Sequence, residues 1–294
     1  PRASLPKEEF FTSRNLHEDM NPHGVRVRES RDSAAHPESI GIIFVADETG
    51  SMGDIPVRLA RKELPHFMGL LTEGKFVPDP QLMFMAIGDA RNREQAPLQV
   101  GQFEAEAELM DRWLTSIFLE GDGGGNNGES YDLAFYFAAR HIAMDCFEKR
   151  GKKGYLFLTG DEPHFSAVSK RDVKLVCGDV LKADIPFHDI VTETSRMFHP
   201  FFLIPDEGRR GRCEKLWRET LGDHVICMES PEDTCAVSAS LIGLTEGTLP
   251  NLDAVGARLI ELGTPKKRIN PVIRAIEAYA TSLRRGGSIR QAKR

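Results

Sequence analysis

A chain of 294 residues, 40% of them hydrophobic, can fill one large core with extensions to spare, and no apolar run nears the roughly 18 residues of a membrane-spanning helix. Its five cysteines are scattered without a C-x-x-C pair, so they read as reduced thiols of a cytosolic protein, against a disulfide frame or a zinc site. The net charge of −6 conceals a basic end: residues 264–294 carry nine Lys and Arg against the single acid Glu277, which suits intramolecular docking, or docking on an acidic surface of a neighbouring copy or a partner, better than binding nucleic acid.

Residues 1–39 are polar, mixed in charge and punctuated by Pro6, Pro22 and Pro37, the composition of an extended arm with little core of its own. From Ile40 onward short apolar runs alternate with amphipathic stretches, the pattern of βα units, so residues 40–250 form the main domain. Strands are expected at 41–46, 82–87, 98–103, 154–159, 198–204 and 224–228. Helices are expected at 55–72, 105–118, 129–148, 167–182, 210–221 and 232–245. The fold class that follows is α/β: a doubly wound, mostly parallel six-stranded sheet with helices on both faces. The run at 98–103 alternates apolar and polar residues and follows 82–87 too closely for a crossover helix. It therefore reads as a half-exposed antiparallel edge strand. Residues 251–294 form a basic C-terminal extension, with helical spacing of apolar residues over 269–285.

Three loops carry the chemistry. The first follows the apolar run Ile42-Ile43-Phe44-Val45-Ala46, which is short and β-branched enough for a strand buried on both faces. It delivers Asp47-Glu48-Thr49-Gly50-Ser51 to the carboxyl end of that strand, the edge where open α/β sheets bind ligands. Asp47, Thr49 and Ser51 offer hard oxygen donors at alternate positions, which suits a divalent cation such as Mg²⁺; the plainer alternative is a helix cap. The second loop runs Gly121-Asp122-Gly123-Gly124-Gly125-Asn126-Asn127-Gly128-Glu129-Ser130 into a helix, where glycines permit close backbone approach. Asp122 and Asn127 read as turn residues there, and Glu129 as a partner of the helix dipole. The third is Tyr155-Leu156-Phe157-Leu158-Thr159-Gly160-Asp161, another buried strand that ends in a carboxylate. A lone His164 beside it reads as a surface or supporting group.

The order of these loops resembles the von Willebrand factor A (vWA) family and its metal-ion-dependent adhesion site: D-x-S-x-S after a strand, a Gly-Gly-Thr loop opening a helix, then a strand ending in Thr-Asp. Asp47, Thr49 and Ser51 match the first element, with Thr in place of the first Ser, and Asp161 matches the third. Asn126 stands where the family has Thr. The resemblance covers roughly residues 40–230 and implies a Rossmann-like fold and a non-enzymatic protein-binding module. By that resemblance the metal residues are Asp47, Thr49, Ser51, Asn126 and Asp161, holding Mg²⁺ (or Mn²⁺ or Ca²⁺). One open position would be completed by an Asp or Glu from a partner protein. The glycine loop and the Gly160-Asp161-Glu162-Pro163-His164 turn resemble intracellular, prokaryotic-type members, several of which work alongside MoxR-type AAA ATPases.

Two competitors stand beside this reading. Asp47-Glu48-Thr49-Gly50-Ser51 and Gly121-Asp122-Gly123 also resemble a haloacid-dehalogenase-type Mg²⁺-dependent phosphatase, with Asp47 as nucleophile and Asp122 on the metal. Against it, Thr49 stands where soluble members carry a second carboxylate, and the strand ending in Asp161 has no role. The other competitor is a structural vWA domain with a degenerate, metal-free site.

Overall fold

The computed structural model describes residues 10–92, 94–120 and 128–286. Its centre is a six-stranded sheet built from β1 (Ser39–Asp47), β2 (Asp79–Ile87), β3 (Leu98–Val100), β4 (Gly154–Thr159), β5 (Phe198–Ile204) and β6 (Val225–Cys227), in the spatial order β6-β5-β4-β1-β2-β3. All neighbours are parallel except β2 and β3, which pair antiparallel. This is a doubly wound, Rossmann-like arrangement with one antiparallel edge strand. All nine residues of β1 are buried, as expected for a central strand covered on both faces. From β1 the chain passes to β2 and β3 on one side, then crosses to β4 on the other side and continues to β5 and β6, so the strand order reverses between β1 and β4. That reversal opens a crevice at the carboxyl edge.

The helices include α1 (Ile55–Arg58), α2 (Leu64–Glu73), α3 (Ala107–Ser116), α4 (Tyr131–Arg140), α5 (Phe187–Met197), α6 (Arg210–Leu221), α7 (Thr234–Glu246), α8 (Leu252–Glu261) and α9 (Lys266–Arg284), besides two short ones, Asp145–Arg150 and Lys170–Val176. One face of the sheet carries α4 and α5 packed together, with Trp217 of α6 stacked on Phe202 at 3.8 Å. The other carries α2, α7 and α9. Among the described residues no helix is long and apolar enough to cross a membrane.

Four local expectations are corrected. The helix expected at 55–72 is broken by a π-helical turn, Leu59–Glu63, between α1 and α2. The helix expected at 129–148 ends at Arg140, because Ile142–Met144 turns into a short strand paired in parallel with Arg28–Ser30. The segment 167–182 is helical only over Lys170–Val176; a two-residue strand, Ala167–Val168, precedes that helix and pairs with Ile185–Pro186. The edge strand β3 is wholly buried instead of half-exposed. Its polar residue Gln99 points inward, donating to Glu48 Oε1 (2.8 Å) and the Phe118 carbonyl (2.7 Å). The helix α8 lies in the C-terminal extension without having been given bounds from the sequence, although Leu252, Val255 and Leu259 recur at helical spacing; its start is set by Asn251, whose side chain accepts from the Ala254 amide at 2.9 Å.

Both extensions lie against the body. Phe10, Phe11 and Met20 are buried in the common core. In α9, Arg268 pairs with Asp233 at 2.7 Å and Arg274 with Glu229 at 2.7 Å, while Tyr279 meets the rings of Phe201 and His224. His224 gives a Nδ1 contact to the Pro200 carbonyl at 2.9 Å, and burial pushes its pKa down to about 4. Burial, aided by Lys153 and His224, lowers His199 to about 4 as well.

These histidines titrate near 6.5 in the unfolded chain, so between pH about 6.5 and 4 the unfolded state takes up protons that the native state refuses. Their contribution to stability is complete above that window and is lost as pH falls through it. Thermal melts from pH 7.5 to 4.5 should therefore show a decline in Tm that is shallower in His224→Gln. Parallel declines in the two proteins would contradict this assignment.

Candidate metal centre

The site begins with a buried charge. Asp47 ends β1 with no exposed surface, so both carboxylate oxygens need donors. Oδ1 accepts from the Thr49 amide (2.9 Å) and the Thr49 hydroxyl (2.6 Å), which closes a tight turn. Oδ2 accepts from the Tyr131 hydroxyl at 2.5 Å. Thr49 Oγ1 lies 3.2 Å from Ser51 Oγ, and Ser51 Oγ donates to Asp161 Oδ1 at 2.7 Å. Asp47, Thr49, Ser51 and Asp161 thus form one continuous chain of oxygens across the crevice between β1 and β4. Asn126, together with Asp122 and Asn127, lies outside the described residues.

The helix-cap alternative does not hold here. Thr49 and Asp54, the residues that precede the first turns after the loop, make no side-chain cap hydrogen bond. Between them Gly53 adopts φ 60°, ψ −120°, a conformation open to glycine. That kink lets the loop fold back over the strand end before α1 starts.

Tyr131 was not visible as a site residue in the sequence. It opens α4, is fully buried, and its hydroxyl also accepts from the Glu162 amide at 3.3 Å, joining two of the three loops. Gly160 makes room for it: a Cβ at position 160 would sit 2.5 Å from the Tyr131 hydroxyl. The signal was present only as an aromatic residue directly after the glycine loop, and that reads equally well as core.

Arg209 and Arg212 were also missed, although the run Arg209-Arg210-Gly211-Arg212 follows a strand end in an otherwise acidic body. Arg209 donates through Nε to Asp161 Oδ2 (3.1 Å) and through Nη2 to the Ser51 carbonyl (3.1 Å), and pairs with Asp206 through Nη1. Arg212 Nη1 lies 3.5 Å from Asp161 Oδ2 and 3.1 Å from Glu162 Oε1.

Glu129, expected in the first turn of the helix as a partner of its dipole, lies just before that turn. It precedes Ser130, the residue before the helix, is 1% exposed, and its Oε2 has no hydrogen-bond partner among the described residues. Burial, then Asp47, Asp89 and Glu94, push its pKa up to about 9. Asp47 itself is pushed up to about 7 by burial, against the hydrogen bonds from Thr49 and Tyr131, with Asp161 adding to the rise. His164 is removed from the site: it stacks on Phe187 and contacts Thr220 Oγ1 at 3.1 Å.

The donor set fits a hard divalent cation. Two hydroxyls and two carboxylates lie side by side, and Glu129, whose Oε2 has no hydrogen-bond partner among the described residues, feels the charge of Asp47. Among the described residues no three His, Cys, Asp or Glu side chains group as a metal-binding set, so the hydroxyls of Thr49 and Ser51 are indispensable to this reading.

No protein-family model matches the chain, and no curated protein matches it by sequence. Several solved structures are similar in fold at low identity. The pilus adhesin SpaC from Lactobacillus rhamnosus GG, in its open conformation, aligns over 74% of this chain and 31% of its own at 12% identity and TM-score 0.48. A von Willebrand factor type A structure from Catenulispora acidiphila aligns over 71% and 43% at 13% identity and TM-score 0.42. Proximal thread matrix protein 1 from the mussel byssus, with a zinc-occupied adhesion-site motif, aligns over 74% and 48% at 10% identity and TM-score 0.43. The chain thus spans less than half the length of each of these proteins.

Removing the Tyr131 hydroxyl leaves Asp47 Oδ2 buried without a donor, so Tyr131→Phe should cost roughly 1–3 kcal/mol in urea unfolding. Gly160→Ala should cost a similar ~1–3 kcal/mol by displacing the same ring. The two losses should combine to less than their sum, by about 0.5 kcal/mol or more. Simple additivity would refute the contact.

Proposed function

We propose that this crevice is a divalent-cation-dependent protein-interaction site, with Mg²⁺ the cation and an acidic side chain of a partner protein the ligand. The observation that carries it is the unbroken run of oxygens from Asp47 through Thr49 and Ser51 to Asp161 at the point where the sheet order reverses. Ser51, Thr49 and Asp161 would hold the cation, with Asp47 fixing the Thr49 hydroxyl and balancing charge. Asn126 is the proposed donor from the glycine loop. The cation, when bound, supplies a Lewis-acidic position that an incoming carboxylate can fill. The chain's own contribution is to fix Asp47, held by Tyr131 and by the Thr49 amide and hydroxyl, so that the loop keeps Thr49 and Ser51 close to Asp161. Resemblance to prokaryotic-type members suggests an AAA ATPase of the MoxR type as the partner class.

A phosphatase role for Asp47 fits poorly with its surroundings. A nucleophilic carboxylate must reach phosphorus, whereas both Asp47 oxygens are engaged and none of its surface is exposed. The module is therefore proposed to be non-enzymatic. Hydrolysis of p-nitrophenyl phosphate should be absent, and turnover abolished specifically by Asp47→Asn would overturn that view.

Calorimetric titration with Mn²⁺ should give a single site in the wild type. Ser51→Ala and Asp161→Asn should each weaken it by about tenfold or more, since even outer partners of metal ligands cost that much. No heat in the wild type would favour a degenerate, structural site.

A further inference from the structure

Among the described residues, Asp161 is the one proposed cation ligand whose side chain is also held by arginines of the protein itself. It has no exposed surface; Oδ1 takes the Ser51 hydroxyl, while Oδ2 takes Arg209 Nε and faces Arg212 Nη1. The two arginines differ in what remains free. Arg209 has all three guanidinium nitrogens engaged, with Asp161, Asp206 and the Ser51 carbonyl, and its side chain is 25% exposed. Arg212 is 54% exposed and, among the described residues, uses only Nη1, towards Asp161 and Glu162. Its side chain is thus more than half exposed next to Asp161, the carboxylate that would touch the cation, with N–H groups beyond those on Nη1 still to donate.

We propose that Arg212 is a specificity-determining residue of this site: it receives the second oxygen of the carboxylate whose first oxygen fills the cation's open position. The inference rests on the cation reading above and adds to it the means by which the site selects its ligand. A carboxylate offers two oxygens in a plane and so can bridge a cation and a guanidinium fork, whereas a hydroxyl or a backbone carbonyl offers one. Arg209 acts as a positioning residue, tying the turn before α6 to the loop after β1 so that Arg212 stays at the rim. The arrangement has a cost. A guanidinium beside Asp161 repels an arriving divalent cation while attracting the anion that follows it. Arg212 therefore has opposite effects on the two ligands, a signature that a merely structural residue would not give.

The test uses Mn²⁺ and acetate as probes. Mn²⁺ affinity is read by electron paramagnetic resonance of the free ion, for the full chain and for Arg212→Ala and Arg212→Lys. Acetate is then titrated into each Mn²⁺-saturated protein and followed by water-proton relaxation as metal-bound water is displaced. Arg212→Ala should bind Mn²⁺ as tightly as the wild type or tighter, and acetate about threefold to tenfold more weakly, as expected for losing one partly screened charged contact. Arg212→Lys should fall between, keeping the charge but not the fork. Unchanged or tighter acetate binding in Arg212→Ala overturns the inference, and so does weakening of both ligands. If the wild type takes up no Mn²⁺, the cation reading fails and this inference falls with it; Mn²⁺ uptake without the acetate effect removes the inference alone.

Discussion

The burial of the Asp47 carboxylate is the constraint on which the rest of the site depends. A central strand buried along its whole length cannot end in an unpartnered charge, because an ionised carboxylate without donors is far too costly in the interior. The fold meets that requirement from two sides. Thr49 turns back within the loop to supply an amide and a hydroxyl, and Tyr131 reaches across from the start of α4. Each solution then dictates something else. The Thr49 turn brings Ser51 within reach of Asp161, and the Tyr131 contact requires that position 160 carry no side chain. What looks like a set of independent polar residues is thus one network, anchored by a single acid.

The same edge of the sheet is crowded with acids. Asp47, Glu48, Asp89, Glu129 and Asp161 are all at most 4% exposed. Local devices absorb part of that charge: Gln99 and the Glu120 amide serve Glu48, and Arg209 and Arg212 serve Asp161. Burial itself absorbs another part by keeping Glu129 protonated. A divalent cation at the proposed site would place an opposite charge beside Asp47 and Asp161.

Most of the architecture was legible from periodicity because strands buried on both faces read as continuous apolar runs. The strands at 154–159 and 198–204 fall where that pattern puts them. Legibility failed where a long-range partner overrode local preference. The helix through residue 140 should have continued, but His141 is drawn to the Val25 carbonyl and Asp179, and the next residues pair with a strand from the N-terminal segment. Gln99 broke an apolar run and suggested exposure; its amide faces a buried glutamate instead. At the site, regular spacing within a loop marked Asp47, Thr49 and Ser51 as candidates, with the strand-end Asp161, and the structure brings these four side chains together. Tyr131, Arg209 and Arg212 were not marked, since nothing in their local sequence reveals that the sheet order brings them to the same crevice.

The central claim is that the oxygens between Asp47 and Asp161 form a cation site. It is tested most directly by soaking crystals of the full chain in Mn²⁺ and computing an anomalous difference map at the manganese edge. The account predicts one peak in the crevice, bounded by Thr49 Oγ1, Ser51 Oγ and Asp161, with the direct Ser51–Asp161 hydrogen bond opened to admit it. A crevice without a peak at saturating Mn²⁺, with that hydrogen bond intact, would contradict it.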